Sequence, residues 1–179
     1  MTAHESVVYD IHDFKVRAMT ADTGVAPTYA GTQFDVPGIS ACSMQPNLVT
    51  AELKGDAKVI AKKGRVDRFN FSVTYGRIAL DVLPIFFGGT VTDPVGGSKW
   101  SFPGVNSLPF FKASFQISDA EVGDVHITAF KCQVTGGTLL DQSSDNFGQP
   151  KIDFEAIPCN SDDDLFLDID FLDAVTALT

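Results

Sequence analysis

The densest collection of groups able to do chemistry is the run Asp162-Asp163-Asp164, followed closely by Asp168 and Asp170. Crowded carboxylates are the ligands that hard cations such as calcium take. The spacing here lacks the loop of an EF-hand, however, and Asp168 and Asp170 alternate with Leu167, Ile169 and Phe171. That alternation belongs to a half-buried strand preceded by a solvated turn. Nucleophilic and phosphate-handling chemistry has no better footing: the chain contains no G-x-S-x-G elbow, no G-x-x-x-x-G-K-[ST] loop, no H-E-x-x-H and no C-x-x-C. His126 falls in the middle of an alternating segment, where a packing or hydrogen-bonding role is expected. Cys42, Cys132 and Cys159 lie far apart and form no ligand group with His4, His12 or His126; three scattered cysteines read as reduced thiols rather than a disulfide scaffold. The residues thus point away from an enzyme, and no metal or cofactor is expected.

The elements that carry these groups are strands almost throughout. Along 65–75, Phe69, Phe71, Val73 and Tyr75 take one face, and Arg68, Asn70, Ser72 and Thr74 take the other. Such alternation means one face on a core and the other toward water or a neighbour. The same pattern recurs at 13–19, at 110–118 (Phe111, Ala113, Phe115 and Ile117 inward), at 124–134, at 151–157 (Ile152, Phe154 and Ala156 inward) and at 165–171. Residues 34–44 read as a Gly-interrupted strand. Segments 49–53 and 57–61 flank Lys54-Gly55-Asp56, a hairpin turn in which glycine tolerates positive φ. Ile78, Val82 and Ile85 fit one face of a short helix over 76–83, closed by Pro84 and Gly88-Gly89. Residues 20–33 and 90–104 read as loops, and Gly136-Gly137 and Asn146-Phe147-Gly148 as punctuation. The expected architecture is a single all-β domain over 1–179, a β-sandwich or barrel of about eight strands with one short α-helix.

Composition agrees with a packed domain. The chain has 179 residues, enough for a real core. Its 15 phenylalanines against one tryptophan weight that core toward aromatic filling of sheets. A formal charge of −10 argues against a protein that grips nucleic acid, since such binding needs a basic surface. The start, MTAHESVVYD, has neither a basic nor an apolar leader region, and no apolar run is long enough to span a membrane, so none is expected. The charge is unevenly spread. Residues 51–77 carry seven bases against three acids, a local net of +4, whereas from Asp119 onward thirteen acids face Lys131 and Lys151, a net of −11. A chain basic in one part and acidic in another is able to join copies of itself head to tail.

The stretch LKGDAKVIAKKGRVDRFNFSVTYGRIALDVLPIFFGG, from Leu53 to Gly89, resembles the middle of siphophage major tail (tail tube) proteins. The shared features are a Leu-x-Gly-Asp turn, a long alternating strand, a short helix after it and a closing Gly-Gly. The segment from Lys151 to Leu172 is similar to that family's closing pair of strands. The resemblance implies a tail-tube-like β-sandwich with one flanking helix that assembles into hexameric rings, the rings stacking into a tube in the tail of a virion made in the cytoplasm of a bacterial host. Its implied partners are further copies of itself, tail tip and terminator proteins, and the tape measure protein and double-stranded DNA that pass through the lumen without specific binding.

A conduit of that kind needs a bore that repels phosphates. The candidate lumen faces are the polar sides of the alternating strands: Asn70, Ser72 and Thr74; Ser114, Gln116 and Ser118; Asp153 and Glu155; Asp168 and Asp170. Arg68 is a misfit in that set unless an acid on the next subunit neutralises it. Stacking between rings falls to loops, first of all the hairpin carrying Lys54, Asp56, Lys58, Lys62, Lys63 and Arg65. The alternatives on the same scaffold are a tail terminator, a baseplate ring protein or a contractile-system tube, and outside it a carbohydrate-binding β-sandwich.

Overall fold

Successive side chains of a strand point to opposite faces, so the alternating segments above each have one apolar side that must find a partner. In the computed structural model, which describes residues 11–23, 25–55, 58–104, 107–119, 123–140, 148–161, 165–172, 174 and 176–178, they find it in one another. The strands are β1 (Ile11–Ala21), β2 (Thr28–Tyr29), β3 (Phe34–Asp35), β4 (Ile39–Gly55), β5 (Lys58–Tyr75), β6 (Thr90–Thr92), β7 (Lys99–Ser101), β8 (Phe111–Asp119), β9 (Gly123–Thr138), β10 (Lys151–Ala156) and β11 (Leu167–Leu172). Nine of them form one antiparallel sheet along the path β2-β1-β8-β9-β10-β5-β4, with β3 also on β1 and β11 also on β9. β6 and β7 form a separate ribbon. The class is all-β with one short helix, as the patterning requires, and its main body is a single open sheet rather than two stacked ones or a closed barrel.

The sheet curls around its own apolar face. β1 and β10 are three strand spacings apart, about 14 Å in a flat sheet. Yet the rings of Phe14 and Phe154 have centroids only 6.4 Å apart. Phe14 stacks on Phe115 at 4.5 Å and Phe71 on Phe154 at 5.0 Å, all four rings lying nearly parallel. Phe111 meets Phe154 edge-on, and Phe86 meets Phe111 the same way. Four strands thus contribute to one aromatic stack within the core.

The short helix α1 spans Leu83–Phe87, preceded by a 3-10 turn at Leu80–Val82. It starts later than the 76–83 read from periodicity. Pro84 opens the helix instead of closing it, because the first turn has no intrahelical use for the N–H that proline lacks. Ile78 is accordingly exposed, and Val82, Leu83, Ile85 and Phe86 are the buried residues. Gly88, at φ +79°, ends the helix. The 90–104 segment supplies the β6–β7 ribbon, whose Trp100 donates its indole N–H to the Gly88 carbonyl at 3.0 Å and packs near Phe87 and Phe102.

Two further differences concern glycines. Gly136 and Gly137 do not interrupt β9; they lie inside it, where Gly137 adopts φ +142° beside an irregularity in the β10 register. Likewise Gly64 does not break the second strand of the hairpin, whereas β4 ends at Gly55 and β5 begins at Lys58, so the chain reverses where the Lys54-Gly55-Asp56 turn was expected. β4 and β5 are continuous at 17 and 18 residues, far longer than the 3–10 usual for strands. Pro46 is compatible with β4 because that strand forms the end of the sheet path and, among the described residues, has no second neighbour to bond.

Candidate assembly surface

Strand register decides which side chains share a face. Asn70 pairs with Glu155 and Ser72 with Asp153. Ser114 pairs with Thr128, Gln116 with His126 and Ser118 with Asp124, and Asp168 and Asp170 oppose the same Thr128 and His126. All of these point away from the phenylalanine stack, as does Thr74, which opposes Lys151. The ten polar residues singled out from four separate segments therefore lie on one face of one sheet.

That face has two unlike halves. On β5 and β10 it is open, with Asn70 exposed and Ser72, Thr74, Asp153 and Glu155 half-buried. Arg68 belongs to this half, and its charge is met within the chain: its guanidinium lies 2.8 Å from Glu155 and 3.2 Å from Asp67. No acid from another subunit is needed. On β8 and β9 the face is covered instead. Ser114 and Gln116 are only 2% and 4% exposed, and the C-terminal residues Thr176–Leu178 run across this side. The Gln116 amide donates to the Thr176 carbonyl at 3.0 Å and to the Asp124 carboxylate at 2.7 Å. The Thr176 N–H also donates to Asp124, and His126 Nε2 lies 3.0 Å from the same Thr176 oxygen. Lys15 donates to the Leu178 carbonyl at 3.1 Å, with the Leu178 side chain buried. Burial of Asp124 disfavours its charge, but the donors from Thr176 and Gln116 outweigh that and hold its carboxyl below the usual range. His126 thus has the hydrogen-bonding role its position suggested.

The basic hairpin is the outer part of β4 and β5. Residues 48–54 and 58–66 are exposed without exception, so this two-stranded arm contributes nothing to the core. Lys54 and Lys62 both reach Glu52. Among the described residues, Lys58, Lys63 and Arg65 make no ion pair. Asp56 lies outside the described residues, as do Asp162, Asp163 and Asp164. The arm is also apolar: Leu48, Leu53 and Ile60 are each more than 60% exposed, and Val49, Val59 and Val66 join them. Val49, Ala51, Lys63, Gly64 and Arg65 line a hollow of about 240 Å³. Exposed aliphatics interleaved with unpaired cations mark a contact surface rather than a solvated turn.

Lysine charge drew attention to this hairpin, but its exposed aliphatics were not singled out. The available signal was that Leu48, Val49, Leu53, Val59 and Ile60 are too many apolar residues for a turn that has left the core. The C-terminal strap had no comparable signal. As for metal or thiol chemistry, no group of three or more ligand residues gathers among the described residues. Cys159 is buried, and burial raises the Cys132 thiol and pushes that of Cys42 up to about 12, so neither Cys132 nor Cys42 is poised as a thiolate.

By sequence, the chain matches no family model and no curated protein. Among solved structures, it is similar to the tube-terminating cap of the anti-feeding prophage, at 15% identity and a TM-score of 0.49 over 96% of this chain and 99% of that one. It is also similar to a chain of the 6-fold symmetrised baseplate of the anti-feeding prophage, at 9% identity and a TM-score of 0.43 over 94% and 97%.

Proposed function

We propose that the chain is a ring-forming structural subunit of a phage-tail-like particle. The observation that carries this reading is the arm: sixteen exposed positions, 48–54 and 58–66, extend a two-stranded ribbon of aliphatics and cations beyond a core that does not use it. A monomer gains nothing from such an element, whereas a subunit that packs against its copies does. The open sheet supports the same reading, because unpaired strand edges are a hazard in isolation and a bond in an assembly.

In the fuller form of the proposal, rings of six stack into a tube. The open polar half of the sheet, with Asn70, Ser72, Thr74, Asp153 and Glu155, turns to the bore. Its cations are met within the chain, Arg68 by Glu155 and Asp67 and Lys151 by Asp153, so the bore offers phosphates little purchase while the tape measure protein and then double-stranded DNA pass. The related form is a single closed ring at the end of such a tube, a terminator or baseplate component. Negative-stain electron microscopy of concentrated protein separates the two: uniform hollow tubes indicate the first, discrete rings the second. Monomers at every concentration, with or without a preformed tail end as nucleus, would overturn both.

A further inference from the structure

The hollow on the arm and the tip of the β6–β7 ribbon are complementary in shape and charge. The β4–β5 register puts Val49 opposite Arg65 and Ala51 opposite Lys63, so these four side chains share one face of the arm. The hollow of about 240 Å³ that they line thus has an aliphatic row on one strand and a cationic row on the other. Among the described residues no acid lines it, for Glu52 opposes Lys62 on the far face and pairs with it there. Whatever fills this hollow must protrude, and must bring an apolar group and a carboxylate together.

The ribbon presents both. Thr92 pairs with Lys99, and residues 93–98 between them are all exposed, Val95 completely. Val95 is held out by a β-turn in which the Gly97 N–H donates to the Pro94 carbonyl at 3.1 Å and Gly96 takes φ +98°. The bond from Trp100 to Gly88 fixes the base of the ribbon. Asp93, two positions before Val95, has no ion-pair partner among the described residues. Other exposed aliphatics fit less well. Val25 follows Asp22, whose charge is committed to Lys131, and Ile169 lies along a strand of the sheet rather than at a tip.

Resting on the self-assembly reading, we infer that the tip carrying Asp93 and Val95 docks in the arm hollow of a second copy of this chain. Val95 packs on Val49 and Ala51, and the Asp93 carboxylate meets Lys63 and Arg65. Burying the aliphatics supplies the attraction, and the charges set the partner and the orientation. A nucleic acid would offer the charge without the apolar group and is repelled by the chain's net −10. Within one copy the tip and the hollow are both exposed, so the contact joins molecules. Each copy then keeps one tip and one hollow for further neighbours, the head-to-tail arrangement that closes into rings or extends into stacks. A turn already fixed in shape docks with little further ordering cost.

The test uses full-length D93K, V95S and K63E/R65E, with circular dichroism and thermal melting to show that each folds. Each should need about tenfold more protein or worse to assemble, by sedimentation velocity and microscopy, because the first and third oppose like charges and the second removes the apolar group. Combining the reversals in one chain, D93K/K63E/R65E, should restore assembly, since tip and hollow then carry opposite charges again. If the wild type assembles but any of the three variants does so as readily, or the combined reversal is no better than its parents, the contact is wrong and the self-assembly reading stands. If the wild type does not assemble at all, both fall together.

Discussion

The Lys131 ammonium lies 2.6 Å from the carboxylate of Asp22, 109 positions earlier in the chain. Both side chains are nearly buried, and the Lys131 charge sits 5.0 Å over the ring of Phe110. Asp22 also accepts the N–H groups of Asn160 and Ser161 and the Ser161 hydroxyl. One carboxylate therefore ties the end of β1 to the segment between β10 and β11. Burial opposes its charge, but these donors prevail and hold its pKa far below the ordinary value. Asp22→Ala should cost about 3 kcal/mol or more in urea unfolding at pH 7, because it leaves Lys131 buried and unpaired. Adding Lys131→Met should recover part of that loss. A folded pKa below the unfolded value of about 3.9 means the stabilisation is complete above that pH and declines as pH falls toward the folded pKa. The gap between wild type and Asp22→Ala should therefore narrow in acid; a gap independent of pH would show that the carboxylate's charge is not what matters.

Phe154 touches four other rings in the core: Phe14, Phe71, Phe111 and Phe115. Phe154→Ala should destabilise the fold by about 3–5 kcal/mol, combining lost transfer energy with the cavity left behind. Phe171→Ala, on the exposed edge, should cost far less. Equal losses in a chemical denaturation series would contradict the core described here.

Strand faces were legible from the sequence because their signal is local and has period two, which is why the ten polar positions fell on one face. Segment joints were less so. Gly64 reads as a break, yet its place opposite Thr50 in the β4–β5 ladder has room for a side chain and imposes no turn. Pro84 both closes and opens helices, and only the packing of Phe86 on Phe111 decides between them. The strap over Gln116 was invisible for another reason: Thr176, Ala177 and Leu178 have no pattern of their own, and their position is set by donors and acceptors on β1, β8 and β9.

The strap should loosen in acid. Asp124 holds the Thr176 N–H, and its folded pKa is depressed, so this hold is intact above the unfolded carboxyl value and lost as pH falls through the folded one. The groups facing it are Ser118, Gln116 and His126, with Lys15 at the Leu178 end. The protection factor of the Thr176 amide, measured by hydrogen exchange, should therefore hold at neutral pH and fall in the carboxyl range. Protection unchanged through that range would show that the Asp124 charge does not hold the strap.

Gly137 is a backbone position with no room for a side chain. At φ +142° it passes so close to the Lys151 carbonyl and Ile152 that an added Cβ would collide with backbone. Gly137→Ala should cost about 1–3 kcal/mol through strain and a shifted β9–β10 register. Gly97→Ala, at an exposed site with open space around it, is the control. Matching melting temperatures would refute the tight crossing.

Removing the arm should separate folding from assembly. Leu48 and Val66 are directly paired, so replacing residues 49–65 by Asn-Gly would join them through a two-residue hairpin turn. The shortened chain should melt within a few degrees of wild type, because 49–54 and 58–65 are all exposed, and should remain monomeric at concentrations where wild type assembles. Collapse of the fold would mean the arm is structural after all.

Trp100 gives the molecule an optical consequence. The single indole of the chain lies on the β6–β7 ribbon, anchored to Gly88 beside α1 and apart from the phenylalanine stack. Its emission therefore reports the environment of the flank, whereas far-ultraviolet dichroism is dominated by the nine-stranded sheet. Followed together through a denaturation, the two signals ask whether flank and sheet come apart in one cooperative step or in succession, with no label introduced.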